Sequence, residues 1–471
     1  MAPAKGSVTS VKNAILKRMN PRSIVKKIVP TEAFKKVEPY GHLGEAVAFN
    51  VKNGFPGKGL KVIGVTGTNG KTTTCFLIHK MLTEAGYKTG LMTTVAYGVG
   101  NDIKPQIAHM TTSSVPVLHQ RLKQMKAQGA EWLVLEVTSH ALAQYRTWGI
   151  PLHLAVMTNI THEHLDYHGT FERYLEAKRM LFTQANRNKK GLRIGIANAD
   201  DPNASTFTSA IKIPVTYGLK GGDLRASKVQ LTPAGSTYVA KIDTDTYDIT
   251  CRLPGSFNVS NSLAAVAVGR AIGLNKKQIE QGIAALYSVE GRMERITEGQ
   301  VFDVIVDYAH TPDSYEKLFK DLKPVVKKKL IVLFGSAGRR DEAKRAVQGK
   351  LAGRYADEVV VTEEDDRDMD GQAIMEEIAT GAEKSGKQRD RDLFLVHDRA
   401  QAIAFAFKRA RKGDTVLLLG KGHVKDILRN GPKAAQLRHL PQDDHNRDRV
   451  VEFRWDEVAT ARKALKALKH S

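Results

Sequence analysis

The sequence is poor in cysteine and has no long apolar run. Only two cysteines, Cys75 and Cys251, occur in 471 residues, so a disulfide scaffold is excluded and a reducing compartment, the cytoplasm, is predicted. No stretch approaches the roughly 18 uninterrupted apolar residues of a membrane-spanning helix, and the N-terminus lacks the apolar core of a secretory signal. Hydrophobic residues nevertheless make up 42% of the chain, which excludes wholesale disorder.

Acidic residues are scarce relative to basic ones. The chain has 72 Lys and Arg against 50 Asp and Glu, and this net charge of +22 favours anionic partners. Aromatic residues are only 7% of the total, and the sequence has no helix-turn-helix, zinc or RNA-binding signature. We therefore expect small anionic substrates, and no nucleic acid, as partners.

The first part of the chain, residues 1–57, is rich in lysine, arginine and turn-forming residues. Its pattern predicts two short helices, at 10–19 and 40–53. The first has an apolar stripe on an otherwise basic helix. Such a helix can make peripheral contact with a membrane surface, or it can pack on the domain that follows.

From residue 58 onwards the pattern changes to alternating strands and helices. Short apolar runs that end in turn residues indicate buried strands of a parallel sheet with helices on both faces. Residues 222–252 alternate between apolar and polar side chains, which predicts hairpins. We predict an α/β fold with a short helical N-terminal segment (1–57), a central doubly wound domain (58–289) and a C-terminal Rossmann-like domain (290–471). The predicted strands are Leu60–Val65, Trp132–Val137, Leu154–Thr158, Ile194–Asn198, Phe302–Asp307, Leu330–Phe334, Glu358–Thr362, Leu393–Val396 and Thr415–Leu419.

A glycine-rich segment, GVTGTNGKTTT at 64–74, joins the first of these strands to a helix and predicts a phosphate-binding loop of an ATPase domain. Gly67 and Gly70 let backbone N–H groups approach phosphate oxygens, and the N-terminus of the helix favours negative charge. Lys71 can reach the β- and γ-phosphates, and the Thr72 hydroxyl can hold Mg²⁺. The spacing is not the strict G-x-x-x-x-G-K, because a valine stands at the first glycine position.

A carboxylate at the end of another strand is the first metal candidate. Glu136 ends the apolar run that begins at Trp132, beside the phosphate-loop strand. A carboxylate oxygen there can ligate Mg²⁺. The alternative is a carboxylate that only caps a helix.

Several blocks of the sequence resemble the Mur ligase family, the ATP-dependent amide-forming enzymes of peptidoglycan precursor synthesis. The similarity runs from about Lys61 to about Arg449 and is strongest with members that add the third amino acid of the peptide. It is carried by TGTNGKTT at 66–73, EVTSHAL at 136–142, TNITHEHLDYHG at 158–169, LPGSFNVSN at 253–261 and DYAHTPD at 307–313. The resemblance implies a cytoplasmic ligase that joins an amino acid to a carboxylate and releases ADP.

The resemblance also implies an ATP site with two Mg²⁺ ions. It implies a carbamate, formed by CO₂ on Lys178, as one metal ligand, and Lys71, Lys178 and His164 as catalytic residues. The implied metal residues are Thr72, Glu136, His164 and Lys178. The implied ATP-binding residues are Gly67, Thr68, Asn69, Gly70, Lys71, Thr72, Thr73, Asn258 near the base, Asp307 at the ribose and Arg292 at the phosphates.

For the other substrates, the resemblance implies a muramyl peptide acceptor and an incoming amino acid. The acceptor is expected to be a UDP-N-acetylmuramoyl dipeptide with a free D-glutamate carboxylate, and the amino acid a diamino acid. Arginines suit carboxylates because the guanidinium forms a bidentate fork. The implied acceptor residues are Thr111, Thr112, Thr138 and Arg146, and the implied amino-acid residues are Arg340, Arg367 and Gly420.

Three departures from the family pattern bear on the substrates. Residues 1–57 are too few for the uridine-binding domain of typical members, so this unit is expected to be reduced or absent. Segment 364–367 reads EDDR where members that add diaminopimelate read DNPR, and 420–424 reads GKGHV where they read GKGHE. The missing glutamate would have bound the distal ammonium group, so diaminopimelate and lysine both stay open.

Two other functions stay open as alternatives. One is a related ligase, of the Mur or folylpolyglutamate type, that acts on another acceptor. The other is a nucleic-acid-binding ATPase, which only the net charge of +22 supports.

Overall fold

The computed structural model describes residues 31–106, 110–232, 234–339, 341–437 and 446–469. The predicted helix at 10–19 and the predicted substrate residue Arg340 lie outside this part of the chain. One helix, α1 (Thr31–Lys52), replaces the short helix predicted at 40–53. That prediction places the start too late because a proline usually ends a helix, whereas Pro39 lies inside α1.

Strands and helices then alternate along the chain, as the sequence predicts. The strands are β1 (Lys61–Thr66), β2 (Thr89–Met92), β3 (Ala96–Val99), β4 (Asp102–Pro105), β5 (Trp132–Glu136), β6 (Leu152–Met157), β7 (Ile194–Asn198), β8 (Ile213–Gly218), β9 (Leu224–Thr232), β10 (Gly235–Ile242), β11 (Asp245–Cys251), β12 (Glu294–Ile296), β13 (Asp303–Asp307), β14 (Leu330–Phe334), β15 (Glu358–Val361), β16 (Leu393–Leu395), β17 (Thr415–Leu419), β18 (Asp426–Asn430) and β19 (Val450–Arg454). The helices after α1 are α2 (Lys71–Glu84), α3 (Val115–Ala127), α4 (Ser139–Ala143), α5 (Leu165–His168), α6 (Phe171–Arg187), α7 (Ala204–Thr208), α8 (Ser256–Ala271), α9 (Lys276–Ala284), α10 (Pro312–Leu322), α11 (Lys344–Tyr355), α12 (Gly371–Glu383), α13 (Arg399–Arg409), α14 (Ala434–Leu437) and α15 (Glu457–Lys469).

The larger sheet has eleven strands in the order β11-β10-β9-β8-β7-β6-β1-β5-β2-β3-β4. The strands from β9 to β2 in this order are parallel to their neighbours. Antiparallel strands extend the sheet at both edges, and those at one edge, β9 to β11, confirm the hairpins predicted at 222–252. The strand β1, which leads into the glycine-rich loop, therefore lies in the middle of the sheet.

The smaller sheet has six strands in the order β12-β13-β17-β14-β15-β16. Only β12 is antiparallel to its neighbour, so five strands form a parallel sheet. An antiparallel pair, β18 and β19, forms a separate two-stranded sheet. The two large sheets confirm the predicted α/β class, with a doubly wound central part and a Rossmann-like C-terminal part.

The central strands are apolar along their whole length because helices cover both faces of each sheet. In β14 the side chains of Leu330, Val332 and Phe334 pack into one core, and those of Ile331 and Leu333 pack into the core on the opposite face. This alternation follows from the two-residue repeat of a strand. It explains why an uninterrupted apolar run, and not an alternating one, marks these strands in the sequence.

Both cysteines are buried free thiols, Cys75 in α2 and Cys251 at the end of β11. Burial raises the pKa of each thiol above its ordinary value, so both stay protonated at neutral pH. Within the described residues, no helix is both long and apolar enough to cross a bilayer.

Candidate active site

The glycine-rich loop turns from β1 into α2 at the carboxyl edge of the larger sheet, where parallel sheets bind ligands. Gly67 and Gly70 have φ angles of +148° and +81°, which an L side chain rarely adopts. A Cβ atom on Gly67 would overlap the Thr158 hydroxyl, and one on Gly70 would overlap the Asn261 amide oxygen. The sequence therefore needs glycine at both positions to bring the loop backbone this close to its neighbours.

Two lysine side chains end at this loop. Lys71 Nζ donates to the carbonyl oxygen of Thr68 at 2.7 Å, and Lys178 Nζ, from α6, donates to that of Gly67 at 2.6 Å. The Lys178 side chain is only 2% exposed and lies 4.8 Å from the centre of the Tyr174 ring. Burial, reinforced by the charge of Lys71, holds the pKa of Lys178 well below its ordinary value.

A buried carboxylate, Glu136, lies on the other side of the loop. The neighbouring pairing of β1 and β5 places it there, and its Oε2 accepts the hydroxyl of Thr72 at 3.0 Å. Thr94 donates to the same carboxylate through its backbone N–H at 2.9 Å and its hydroxyl at 3.0 Å. The Thr94 hydroxyl also lies 3.0 Å from that of Thr111, so the predicted acceptor residue Thr111 adjoins this cluster.

The donor set of this cluster fits a magnesium ion. Glu136 and Thr72 supply only oxygen atoms, they lie next to a phosphate-type loop, and the carboxylate is 1% exposed. Mg²⁺ prefers oxygen ligands and is held in nucleotide sites by one or two carboxylates together with substrate phosphates.

The block that contains His164 forms a second wall of the site. His164 has a φ angle of +56°, and its Nε2 lies 3.7 Å from Oε2 of Glu163. Burial opposes the ionisation of Glu163, but the neighbouring charges of His164 and Lys71 outweigh it and hold the pKa of this carboxyl below its usual range. Glu163 is thus negatively charged, and it interacts with the same cations that a bound phosphate would contact.

Three of the predicted acceptor residues, Thr112, Thr138 and Arg146, form one connected group. The Thr112 hydroxyl donates to the carbonyl oxygen of Glu136 at 3.0 Å and lies 3.5 Å from the hydroxyl of Thr138. The guanidinium of Arg146 donates to the carbonyl oxygen of Thr112 at 2.6 Å and to the amide oxygen of Gln144. Burial lowers the pKa of Arg146 from its ordinary value.

The predicted base and ribose residues lie on a helix and on a strand that are far apart in the sequence. Asn258, in the first turn of α8, donates to the carbonyl oxygen of Pro254 at 2.7 Å and accepts from Asn261 at 3.0 Å. Asp307 ends β13 and accepts the backbone N–H groups of Met293 and Ala309. Burial raises its pKa, although the positive charge of Arg292 opposes this shift.

The third predicted nucleotide residue of this group, Arg292, lies beside Asp307. Its guanidinium stacks 4.5 Å from the centre of the Tyr308 ring. Asp307 and Arg292 therefore occupy one end of the C-terminal sheet, as the resemblance implies for a ribose and a phosphate contact.

The segment 364–367 lies at the carboxyl edge of the C-terminal sheet with Gly420. Glu364 is buried, and its Oε2 has no hydrogen-bond partner within the described part of the chain. Burial raises the pKa of this carboxyl. Gly420 adjoins it, since a Cβ atom on Gly420 would lie 2.6 Å from that oxygen. Arg367, also buried, has a φ angle of +54° and donates to the carbonyl oxygen of Gly338 at 2.8 Å.

The structure brings the predicted phosphate, metal and acceptor residues into one cluster around 67–72, 136 and 178. A hydrogen bond of 3.1 Å from Asn69 Nδ2 to Oδ2 of Asp313 joins this cluster to the C-terminal part of the chain. Sequence reasoning missed Thr94 and Tyr174, whose hydroxyl lies 2.7 Å from that of Thr68. Glu163 was missed as well, although it directly precedes His164 in the segment 158–169. No sequence motif marks Thr94.

Comparisons with known proteins agree with this geometry. A model described as Mur ligase middle domain matches residues 65–269, and one described as Mur ligase, glutamate ligase domain, matches 291–422. A UDP-N-acetylmuramyl-tripeptide synthetase of Roseiflexus sp. is 40% identical over 427 residues, which cover 88% of this chain and 80% of that protein.

A second relative and a solved structure point the same way. A UDP-N-acetylmuramoyl-L-alanyl-D-glutamate–2,6-diaminopimelate ligase of Geobacillus thermodenitrificans is 39% identical over 391 residues, which cover 82% of this chain and 79% of that protein. A solved structure with the same description is 30% identical with a TM-score of 0.60, and the match covers 88% of this chain and 80% of that one.

Proposed function

Because the chain belongs to the Mur ligase family, whose members are ATP-dependent, ADP-forming ligases, we propose that it extends a muramyl dipeptide by a third amino acid. It is a ligase of the tripeptide-synthetase type, which adds an amino acid in peptidoglycan precursor synthesis. The proposed acceptor is the D-glutamate carboxylate of a UDP-N-acetylmuramoyl dipeptide. The convergence of Lys71, Glu136 and Lys178 on one glycine-rich loop is the observation that supports this chemistry most directly.

In the proposed reaction the acceptor carboxylate attacks the γ-phosphorus of ATP, and ADP leaves. The loop N–H groups and Lys71 offset the negative charge that builds on the transferred phosphoryl group. A bound Mg²⁺, held by Thr72 and Glu136, would neutralise phosphate charge. The amine of the incoming amino acid then attacks the acyl phosphate, the amide bond forms, and inorganic phosphate and a proton leave.

The amino acid is proposed to bind at the carboxyl edge of the C-terminal sheet, with an ammonium group near Glu364. The buried Oε2 of Glu364 has no hydrogen-bond partner among the described residues, and an ammonium group would supply one. A second carboxylate, Asp365, is already paired with Lys421 at 2.9 Å. Asp366, which stands where diaminopimelate-adding members have proline, is paired with His397 at 2.7 Å. Glu364 is therefore the carboxyl group of the segment 364–366 with which a substrate amine can pair, and it favours a substrate with a second amine.

We further propose that Lys178 carries a carbamate in the active enzyme. Its neutral amine would attack the carbon of CO₂, form an N–C bond as one C–O π bond opens, and release one proton, so that an uncharged amine becomes an anion beside the magnesium residues. Burial favours this chemistry because it disfavours the ammonium form of Lys178. The carbamate oxygens would extend from the middle of α6 towards the loop that Lys178 now contacts.

Lys178→Arg is expected to lower ligase activity about 100-fold, because arginine places a permanent positive charge at this position and cannot form the carbamate. In ¹³C-bicarbonate, the wild-type protein should show a carbamate resonance that K178R lacks. Lys190→Arg, at an exposed position beyond α6, is the matched control and should keep both the resonance and the activity. A wild-type spectrum without that resonance would contradict the proposal.

The experiment that tests the proposed function measures phosphate release and amide formation with purified protein, ATP and Mg²⁺. The acceptor is varied between UDP-N-acetylmuramoyl-L-alanyl-D-glutamate and a folate, and the amino acid between diaminopimelate, lysine and a neutral amino acid. We expect release only with the muramyl acceptor and a diamino acid. Release with the folate alone would assign the folylpolyglutamate type, and release with the neutral amino acid would reject the role of Glu364.

A further inference from the structure

Helix α10 of the C-terminal part contacts the nucleotide-binding part at both of its ends. It begins five residues after Asp307, and it anchors itself in the C-terminal core through Tyr315, Leu318 and Phe319. An aspartate near each end, Asp313 and Asp321, points away from that core to the other part of the chain.

The contact at the C-terminal end of α10 caps the start of α8. Asp321 Oδ2 accepts the backbone N–H of Ser256 at 2.6 Å and that of Phe257 at 3.3 Å, and the Ser256 hydroxyl donates to Oδ1 at 2.8 Å. The residue before α8, Gly255, has no side chain to cap it. A carboxylate from a distant segment therefore satisfies the free N–H groups of α8 and faces the positive end of its dipole.

An apolar contact accompanies this cap. Phe257 belongs to α8, yet its ring packs against the core of the C-terminal part, next to the residues that anchor α10. The first turn of α8 is thus held by the Asp321 carboxylate and by the partly buried ring of Phe257, which packs on the C-terminal core.

Short steps lead from this cap to the phosphate loop. Asn258 follows Phe257 and accepts from Asn261 at 3.0 Å, and Asn261 lies against Gly70 and 3.4 Å from the hydroxyl of Thr74. At the other end of α10, Asp313 accepts from Asn69 in the same loop at 3.1 Å. Both ends of α10 are therefore linked to the segment 67–74. The N-terminal end contacts it through the hydrogen bond from Asn69 to Asp313, and the C-terminal end is linked to it through α8.

We propose that α10 is a two-ended clamp that sets the position of the C-terminal part over the ATP-binding loop, with Asp321 as its principal positioning residue. ATP must contact the loop and Asp307 together if the proposed function is right, so the clamp determines how far apart these two contacts lie. Neutralising Asp321 would remove the negative charge that faces the positive end of the α8 dipole, weaken the hydrogen bonds to its two N–H groups and widen the distribution of orientations. The kinetic effect expected on weakening the clamp rests on the proposed function. The expected effect on the shape of the molecule rests on the geometry of α10 alone.

The test compares Asp321→Asn with Glu316→Gln, a change of the same chemistry on the same helix. The Glu316 side chain is 45% exposed and pairs with Lys320 one turn later. We expect D321N to raise the KM for ATP about tenfold while the KM for the amino acid, which is proposed to bind at the C-terminal sheet, changes less than twofold. In small-angle X-ray scattering without nucleotide, D321N should have a larger radius of gyration than the wild type, and E316Q should not.

A double-mutant cycle with Ser256→Ala locates the effect. The serine hydroxyl and the Asp321 carboxylate contact each other, so the KM of the double variant should rise less than the product of the two single increases. Asp313→Asn provides a second variant should D321N not fold. Unchanged ATP affinity and unchanged scattering in folded D321N would overturn the clamp. Wild-type protein without ligase activity would reject the proposed function, while scattering would still test the clamp.

Discussion

Lys71→Ala is expected to lower ATP-dependent amide formation about 1,000-fold, the largest effect of any single change in the loop. Lys71 is the first residue of α2, and its Nζ donates to the Thr68 carbonyl oxygen at 2.7 Å. From there it can reach the phosphoryl group that accumulates charge in the transition state. Because this interaction is stronger in the transition state than in the ground state, kcat should fall more than KM for ATP rises.

The measurement is phosphate release under saturating acceptor and amino acid, with amide product quantified in parallel. Lys80→Ala is the matched control, since Lys80 lies on the same helix and pairs with Glu84 on its outer side. K80A should keep activity within about twofold, as a surface ion pair contributes little. Full ligase activity in K71A would reject the assignment of the loop as the ATP site.

Glu136→Gln is expected to lower activity about 100-fold at physiological magnesium. The amide keeps the size of the side chain and can still accept the Thr72 hydroxyl and the Thr94 N–H, but it removes the negative charge that a magnesium ion needs. The loss should therefore shrink as the magnesium concentration is raised, because mass action offsets a weakened metal affinity.

A magnesium titration of activity separates this cause from a general loss of structure. Glu131→Gln is the control at the opposite end of the same region, where Glu131 is exposed and precedes β5. It should leave the magnesium dependence unchanged. An E136Q enzyme whose activity stays low at every magnesium concentration, or equals that of E131Q, would count against Glu136 as a metal ligand.

Apolar runs predicted the central strands to within a residue or two. Leu330–Phe334 and Ile194–Asn198 coincide with β14 and β7 because a strand that is buried on both faces has no polar residue until it reaches the sheet edge. The four-residue strands β2, β3 and β4 were not predicted, because glycine or charged residues interrupt their apolar runs. The pair β18 and β19 was missed as well; its polar and charged side chains do not form an apolar run.

Within the site, contacts at the ends of neighbouring strands were predictable. Contacts between helices and loops that are far apart in the sequence were not. Glu136 was expected beside the phosphate loop because parallel strands end at one edge, and it lies 3.0 Å from Thr72. The contact of Asn261 with Gly70 joins residues 191 positions apart on different helices and loops, where no spacing rule applies. The capping of Ser256 by Asp321 was equally invisible, because any exposed aspartate can cap a helix that folding brings close.

The two buried thiols give this chain a practical property. Cys75 and Cys251 are closed off from solvent and stay protonated at neutral pH, so neither offers a thiolate to an alkylating reagent. A pair of cysteines introduced on the surfaces of the two α/β parts should accept maleimide dyes without background from the native residues. Single-molecule energy transfer between such dyes would then follow the opening and closing of the ligase, one molecule at a time, as ATP binds.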